Sequence, residues 1–320
     1  VRQAIVAKAR PPQLDFPALP SHQVRRTLAL DPMQVRPVKL RHRLEYAGFR
    51  AAAWLARVLP LETASNLSGF LWRTVAPLLK RHPRAVAHLR AAFPEKSEKE
   101  CKQIARAMWE TLGRIFAEGF RIPEIAAQGR IEIDPAAISL LPDNRCFVAA
   151  APHQGNWELA AAALQQVGGN GAGIYQRVNN PLVEEYVRSI RAPLYPGGLW
   201  PKREDAGRRA LRHVRNGGVL ATMADLRDGK GVMAPFFGRM APTSPFPALV
   251  ARITGAPLFA VEIVRLPGVR FRISLRKIDV AATGDRDADI LAATVALHAA
   301  FEESIRANPD QWMWAHRRWG

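Results

Sequence analysis

From Arg145 to the C-terminus, short apolar runs alternate with helix-patterned segments, and no other feature of the 320-residue chain constrains its fold so tightly. Cys146–Ala151 reads as a buried strand, Trp157–Val167 as a helix, Gly173–Gln176 as a strand and Pro181–Arg191 as a helix. A helix over Glu204–Asn216, a strand over Gly218–Ala224 and a helix over Ser244–Thr254 follow. Strands over Pro257–Val264 and Val269–Lys277 and a helix over Asp287–Ala307 complete the pattern. Such alternation predicts an α/β fold, with a largely parallel or mixed sheet flanked by helices.

Upstream the pattern changes twice. Residues 1–39 carry Pro11, Pro12, Pro17, Pro20, Pro32 and Pro37 and read as a flexible basic arm. Residues 40–121 are helix-patterned, with breaks at Lys80–Pro83 and Phe93–Pro94, and Ser97 with Glu100 forms a capping box. The division predicted is therefore an arm (1–39), a helical, membrane-facing region (40–121) and an α/β core (122–320). Arg43, Arg50 and Arg57 recur every seven residues beside Leu44, Ala51, Leu55 and Val58, as in a basic amphipathic helix. Two packings fit that pattern: Leu44 and Leu55 against the core with solvated arginines, or the whole face against a membrane.

The net charge of +18 favours polyanionic partners. Sixteen Lys and Arg against four acids put +12 of it within residues 1–90. Nucleic acid, an anionic membrane surface and an acidic carrier protein all suit that field. Cys101 and Cys146 lack CxxC spacing, which argues against a zinc site or a disulfide framework. Val1–Leu40 is interrupted by charges and prolines and shows no secretory signal. The longest uncharged stretch, Leu159–Gln176, is too polar and glycine-rich to span a bilayer. If it meets a membrane, a protein of this kind is expected to lie on it rather than cross it.

The most informative segment is CFVAAAPHQGNWELAAAAL, 146–164. A strand ends at Pro152, a tight turn follows, and Asn156 is placed to cap a helix beginning at Trp157. His153 then sits beyond the carboxyl end of a strand, where open α/β sheets form ligand crevices. Glu158, in the first helical turn, is expected to reach back and orient the imidazole as a general base. A plainer arrangement makes His153 a turn residue and Glu158 a complement to the helix dipole.

Five words choose between them: APHQGNWE at 151–158, YQRVNNP at 175–181, MADLRDGKG at 223–231, PFFGRMAPTSP at 235–245 and QWMWAHRRW at 311–319. In this order and spacing the chain resembles the bacterial lipid A biosynthesis (late) acyltransferases of lauroyl/myristoyl type. These share an H-x4-D/E motif with the glycerolipid acyltransferases. The resemblance covers Leu40 to Gly320 and implies a glycerolipid-acyltransferase-like fold. It also implies transfer of a fatty acyl group from an acyl carrier protein thioester to a hydroxyl of a Kdo-bearing lipid A precursor. The location implied is the cytoplasmic face of the inner membrane, peripheral or monotopic. His153 would be the base and Glu158 its orienter, and no metal or other cofactor is expected. A related acceptor, another phosphoglycolipid or a lysophospholipid, fits the same chemistry. A non-catalytic basic protein binding membrane or nucleic acid is the remaining alternative, although no specific nucleic acid is expected.

The resemblance assigns Arg177 to oxyanion or phosphate contact and makes Arg191 a second substrate-binding arginine, with helix-dipole complementation as its structural alternative. Asn180 reads as an N-cap ahead of Pro181. Asp225 lies where the family carries Asp-Gln, but Leu226 replaces the glutamine here. Asp225 is counted among the substrate-binding residues, while Asp228, Gly229 and Gly231 read as a turn rather than a cation site. Phe236 and Phe237 either line an acyl-chain groove or belong to the core.

Overall fold

A computed structural model describes residues 37–202 and 205–319. The predicted arm therefore falls almost wholly outside the described residues, as does Glu204 at the start of one predicted helix.

Among the described residues nine strands follow in chain order: β1 (Ile131–Ile133), β2 (Val148–Ala151), β3 (Gly171–Tyr175), β4 (Gly198–Pro201), β5 (Val219–Met223), β6 (Arg227–Phe236), β7 (Arg239–Thr243), β8 (Leu258–Leu266) and β9 (Arg270–Ile278). Seven form one sheet in the order β1-β9-β8-β2-β5-β3-β4. The five strands β8, β2, β5, β3 and β4 run parallel; β9 is antiparallel to β8, and β1 is parallel to β9. The architecture is the helix-flanked, largely parallel sheet expected from the alternating pattern. Apolar β2 lies centrally, with Val148 and Ala150 wholly buried, as a strand covered on both faces must be.

Several elements differ from expectation. Where the sequence pattern gives only a turn at Asp228, Gly229 and Gly231 and no strand, β6 and β7 form an antiparallel hairpin. Its glycines and prolines disguise the strands, and the register shifts between Arg227 and Val232. Short β1 and β4 carry too few residues for a visible period. The chain after Asn156 makes a 3-10 turn (Trp157–Leu159) before the α-helix Ala160–Gln166. Asn156 does not cap it, because its side-chain amide is drawn instead to Glu118.

Among the described residues, the α-helices preceding β1 are Leu40–Val58, Leu61–Val75, His82–Ala92, Glu98–Glu118 and Ile122–Ala127. The Ser97–Glu100 capping box forms, with Ser97 N donating to the Glu100 carboxylate at 2.8 Å. Leu61–Val75 crosses Glu98–Glu118 closely at Gly113, where a Cβ would collide with the Ser68 carbonyl and Trp72. Ser68 Oγ donates to the Gly113 carbonyl at 2.6 Å across that contact.

The Leu40–Val58 helix inverts the usual burial. Its buried residues are His42, Ala53 and Ala56, whereas Leu44 and Leu55 are exposed and Trp54 is 64% exposed. The packing in which Leu44 and Leu55 face the core is therefore not the one adopted. Phe70, Leu71, Val75, Leu78 and Leu79 extend the exposed apolar set along the next segment. Among the described residues no helix is long and apolar enough to cross a membrane.

Candidate active site

The parallel register builds the site. β2 pairs with β5 so that Val148 stands opposite Leu220 and Ala151 opposite Met223, a constant offset of 72 residues. Carried two residues past both strand ends, the same offset sets His153 beside Asp225. Ala224 N donates to the Ala151 carbonyl at 3.1 Å, so the ladder continues past both strand ends. His153 Nδ1 lies 2.7 Å from Asp225 Oδ1, and the His153 backbone N–H donates to Oδ2 at 2.8 Å.

Asp225 is completely buried and takes a further hydrogen bond, from Trp312 Nε1 to Oδ2 at 2.7 Å. Burial pushes this carboxyl up, but the His153 imidazole beside it and the three hydrogen bonds outweigh burial and hold it down at about 2. An ionised Asp225 can only accept, so Nδ1 carries the proton and Nε2 is the ring nitrogen left for a substrate. The His153 side chain is 15% exposed, which gives a ligand access to it.

Glu158 does not orient His153. Arg191 Nε donates to Glu158 Oε2 at 2.8 Å, Arg191 Nη2 donates to Oε1, and Trp157 Nε1 reaches Oε1 at 3.2 Å. The 3-10 turn presents the Trp157 ring to His153 instead, edge-on with 5.1 Å between centroids. Burial lowers the Arg191 pKa, but the Glu158 carboxylate more than offsets it and the guanidinium ends up raised. Arg191 is thus the partner of Glu158, with Tyr195 beside the pair.

The turn between His153 and Glu158 is pinned from below. Gly155 has φ +58, and a Cβ there would collide with the Ile263 carbonyl, so glycine is required. Asn156 Nδ2 donates to Glu118 Oε2 at 2.9 Å. Glu118, itself fully buried, also accepts from Ser65 Oγ at 2.6 Å and from Arg265 Nη2.

Arg177 is half-buried at the carboxyl end of β3, the neighbour of β5, and so opens onto the same end of the sheet. Its loop is fixed by Glu184, which accepts from Tyr175 Oη at 2.6 Å and from Val178 N at 2.8 Å. Asn180 caps the Pro181–Arg191 helix as expected, and its amide also donates to the His42 carbonyl at 2.9 Å.

Asp225 is sealed away from ligands, so the expectation that it binds substrate directly gives way to its role beside His153. Phe236 and Phe237 are buried, stacked on Trp319 and Trp312 respectively, and belong to the core rather than to a groove. Asp228 Oδ1 accepts from Lys230 N at 3.2 Å, a local turn contact. Asp225 was singled out for another role, and Trp312, in the QWMWAHRRW word, suited a headgroup interface or a packed C-terminal segment; their places beside His153 escaped the sequence reading. The signal that would have found the carboxylate was the adjacency of β2 and β5, which strand prediction alone does not supply.

A buried carboxylate on one imidazole nitrogen, with the ring partly exposed, is an arrangement that can serve as a general base toward a hydroxyl group. Residues 36–320 match the model of the bacterial lipid A biosynthesis acyltransferase family, and the chain belongs to that family. It is an acyltransferase. Among its relatives is a phosphatidylinositol mannoside acyltransferase from Mycolicibacterium smegmatis, 28% identical over 291 residues, covering 84% of this chain and 90% of the relative. The enzyme of the same name from Mycobacterium tuberculosis is 28% identical over 296 residues, covering 84% and 87%. A 1-acyl-sn-glycerophosphate acyltransferase from Thermotoga maritima aligns in structure over 72% of this chain and 98% of its own, with 16% identity and a TM-score of 0.35.

Proposed function

We propose that this protein transfers a fatty acyl group from an acyl carrier protein thioester to a hydroxyl of an anionic glycolipid, with His153 as the general base. The observation that carries the reading is the 2.7 Å contact between His153 Nδ1 and the buried Asp225 carboxylate. Nε2 takes the acceptor's hydroxyl proton as the oxygen attacks the thioester carbonyl. The tetrahedral intermediate collapses, the C–S bond breaks, and the imidazolium returns the proton to the departing thiolate. Asp225 stabilises the transient imidazolium. Arg177, at the same end of the sheet, is assigned to the developing oxyanion or to an acceptor phosphate.

Family membership supports a Kdo-bearing lipid A precursor as the acceptor. The names of the mycobacterial relatives support a second acceptor, a phosphoinositol mannolipid, within the same chemistry. The protein is proposed to work on the cytoplasmic face of the inner membrane. Exposed Leu44, Trp54, Leu55 and Phe70 stand with Arg43, Arg50 and Arg57, a mixture suited to an anionic lipid surface.

The test presents purified protein with acyl carrier protein and coenzyme A thioesters, and with each of the two glycolipids in turn, and reads products by mass spectrometry. Acyl transfer to a glycolipid that His153→Ala abolishes is expected; full turnover by that variant refutes the assigned base.

A further inference from the structure

The C-terminal segment buries Trp312, Trp314, Ala315, Arg318 and Trp319, and its residues 311–313 run against the turn that carries His153. Trp312 is 1% exposed, and its backbone makes an antiparallel bridge with Gln154. Gly155 N donates to the Gln311 carbonyl at 3.0 Å, and Met313 N donates to the His153 carbonyl at 3.3 Å. Gln311 is itself clamped to the β8 end, accepting from Arg265 N at 2.8 Å and donating to the Arg265 carbonyl at 3.2 Å. Residues 311–313 therefore hold the backbone of the catalytic turn while the Trp312 indole holds the side chain that orients its histidine.

We propose that residues 311–313 form a strap that positions the base, with Trp312 as the positioning residue that turns Asp225 so that Oδ1 meets His153 Nδ1. This inference rests on the base assignment made above. A carboxylate has two oxygens, and its rotation decides which faces the imidazole. Trp312 Nε1 and His153 N both donate to Oδ2, leaving Oδ1 directed at the ring. The indole cannot drift, because Phe236, Phe237 and Trp314 enclose it with ring centroids 5.7, 6.4 and 4.6 Å away.

Trp314 supplies an internal control. It sits in the same aromatic cluster and is equally buried, but its Nε1 donates to the Pro309 carbonyl at 2.6 Å and not to Asp225. The other ionisable groups around the pair are His298 from the Arg286–Ala307 helix and His316 and Arg318 from the C-terminal segment. All three remain in both tryptophan variants, so a difference between the variants isolates the indole N–H on Asp225.

Trp312→Phe keeps an aromatic ring and removes the donor. The expected result is a kcat lowered about ten- to a hundredfold, with KM for each substrate within about twofold. A carboxylate relieved of one donor attracts the imidazolium more strongly, so the acid limb of the pH–rate profile moves to higher pH. Titration of the His153 ring by NMR should move the same way, and this readout needs no acyl transfer. Trp314→Phe, which keeps an aromatic ring against Trp312 and takes no donor from Asp225, should leave the acid limb at its parental position. Should Trp312→Phe not fold, a benzothienyl residue at 312, with sulfur replacing the indole N–H, keeps the packing and tests the same bond. An unmoved acid limb and His153 titration in the folded 312 variant, or an equal shift in Trp314→Phe, would overturn the proposal. Activity surviving in His153→Ala would instead overturn the base assignment, and the NMR titration would still decide whether the strap acts on His153.

Discussion

Glu158 and Arg191 close on each other through two hydrogen bonds, with Nε on Oε2 at 2.8 Å and Nη2 on Oε1. The acid of the HQGNWE word thereby anchors the turn after His153 to the end of the Pro181–Arg191 helix. Removing either partner strands the other at a half-buried site, so the two act as a unit. Glu158→Gln and Arg191→Met should each lower activity, and the double variant should lose no more than the worse single one. Steady-state kinetics checks this. The acid limb of the pH–rate profile should stay in place in Glu158→Gln, because that carboxylate is not on the imidazole.

How far this site was legible in the sequence follows from what periodicity can carry. Pro181–Arg191 has the bounds the sequence gives it, because Asn180 caps it, proline opens it, and arginine closes it. His153 at a strand tip was legible for the same reason, since an apolar run followed by a tight polar turn is a local signal. The partner of His153 is 72 residues distant and was not legible, because it depends on which strands lie side by side. Glu158 was attractive through nearness in sequence, yet the 3-10 turn aims it away. The choice between groove and core for Phe236 and Phe237 was not legible either, because glycine and proline punctuate the hairpin that places them.

The fully buried Glu118 connects the N-terminal helices to the turn after His153, bonding Ser65, Asn156 and Arg265. Glu118→Ala leaves the largely buried Arg265 cation and the Asn156 amide without it. A loss of about 3–5 kcal/mol is expected, measured by chemical denaturation. Glu118→Gln should recover part of it, because one amide oxygen still accepts.

Acid should weaken the fold in two stages. Burial, with the charge of Arg318 nearby, pushes His298 down to about 4 from 6.5, so the unfolded chain takes the proton first. The stability this histidine contributes is complete above pH 6.5 and is lost as pH falls toward 4, on the order of 3 kcal/mol. Asp225, depressed from 3.8 to about 2, adds a second loss as pH falls through that lower window. Denaturation across this range should show the first decline flattened in His298→Phe and the second retained.

The proposed membrane attachment through the exposed apolar helices has a direct test. Full burial of a large apolar side chain contributes roughly 1.5–3 kcal/mol. Trp54→Ser combined with Phe70→Ser should therefore weaken sedimentation with phosphatidylglycerol vesicles by at least about tenfold. Unchanged partitioning would place the membrane contact elsewhere.

The pairing of Asp225 with His153 is tested most directly by the kcat of purified Asp225→Asn. Two donors, His153 N and Trp312 Nε1, converge on Oδ2, so the asparagine oxygen must face them and its amide nitrogen must face Nδ1. That arrangement reverses the tautomer and puts the proton on Nε2, where a base needs a lone pair. The account predicts a folded protein whose kcat is lowered about a thousandfold or more. Turnover within about tenfold of the parent, with His153→Ala inactive, would contradict it.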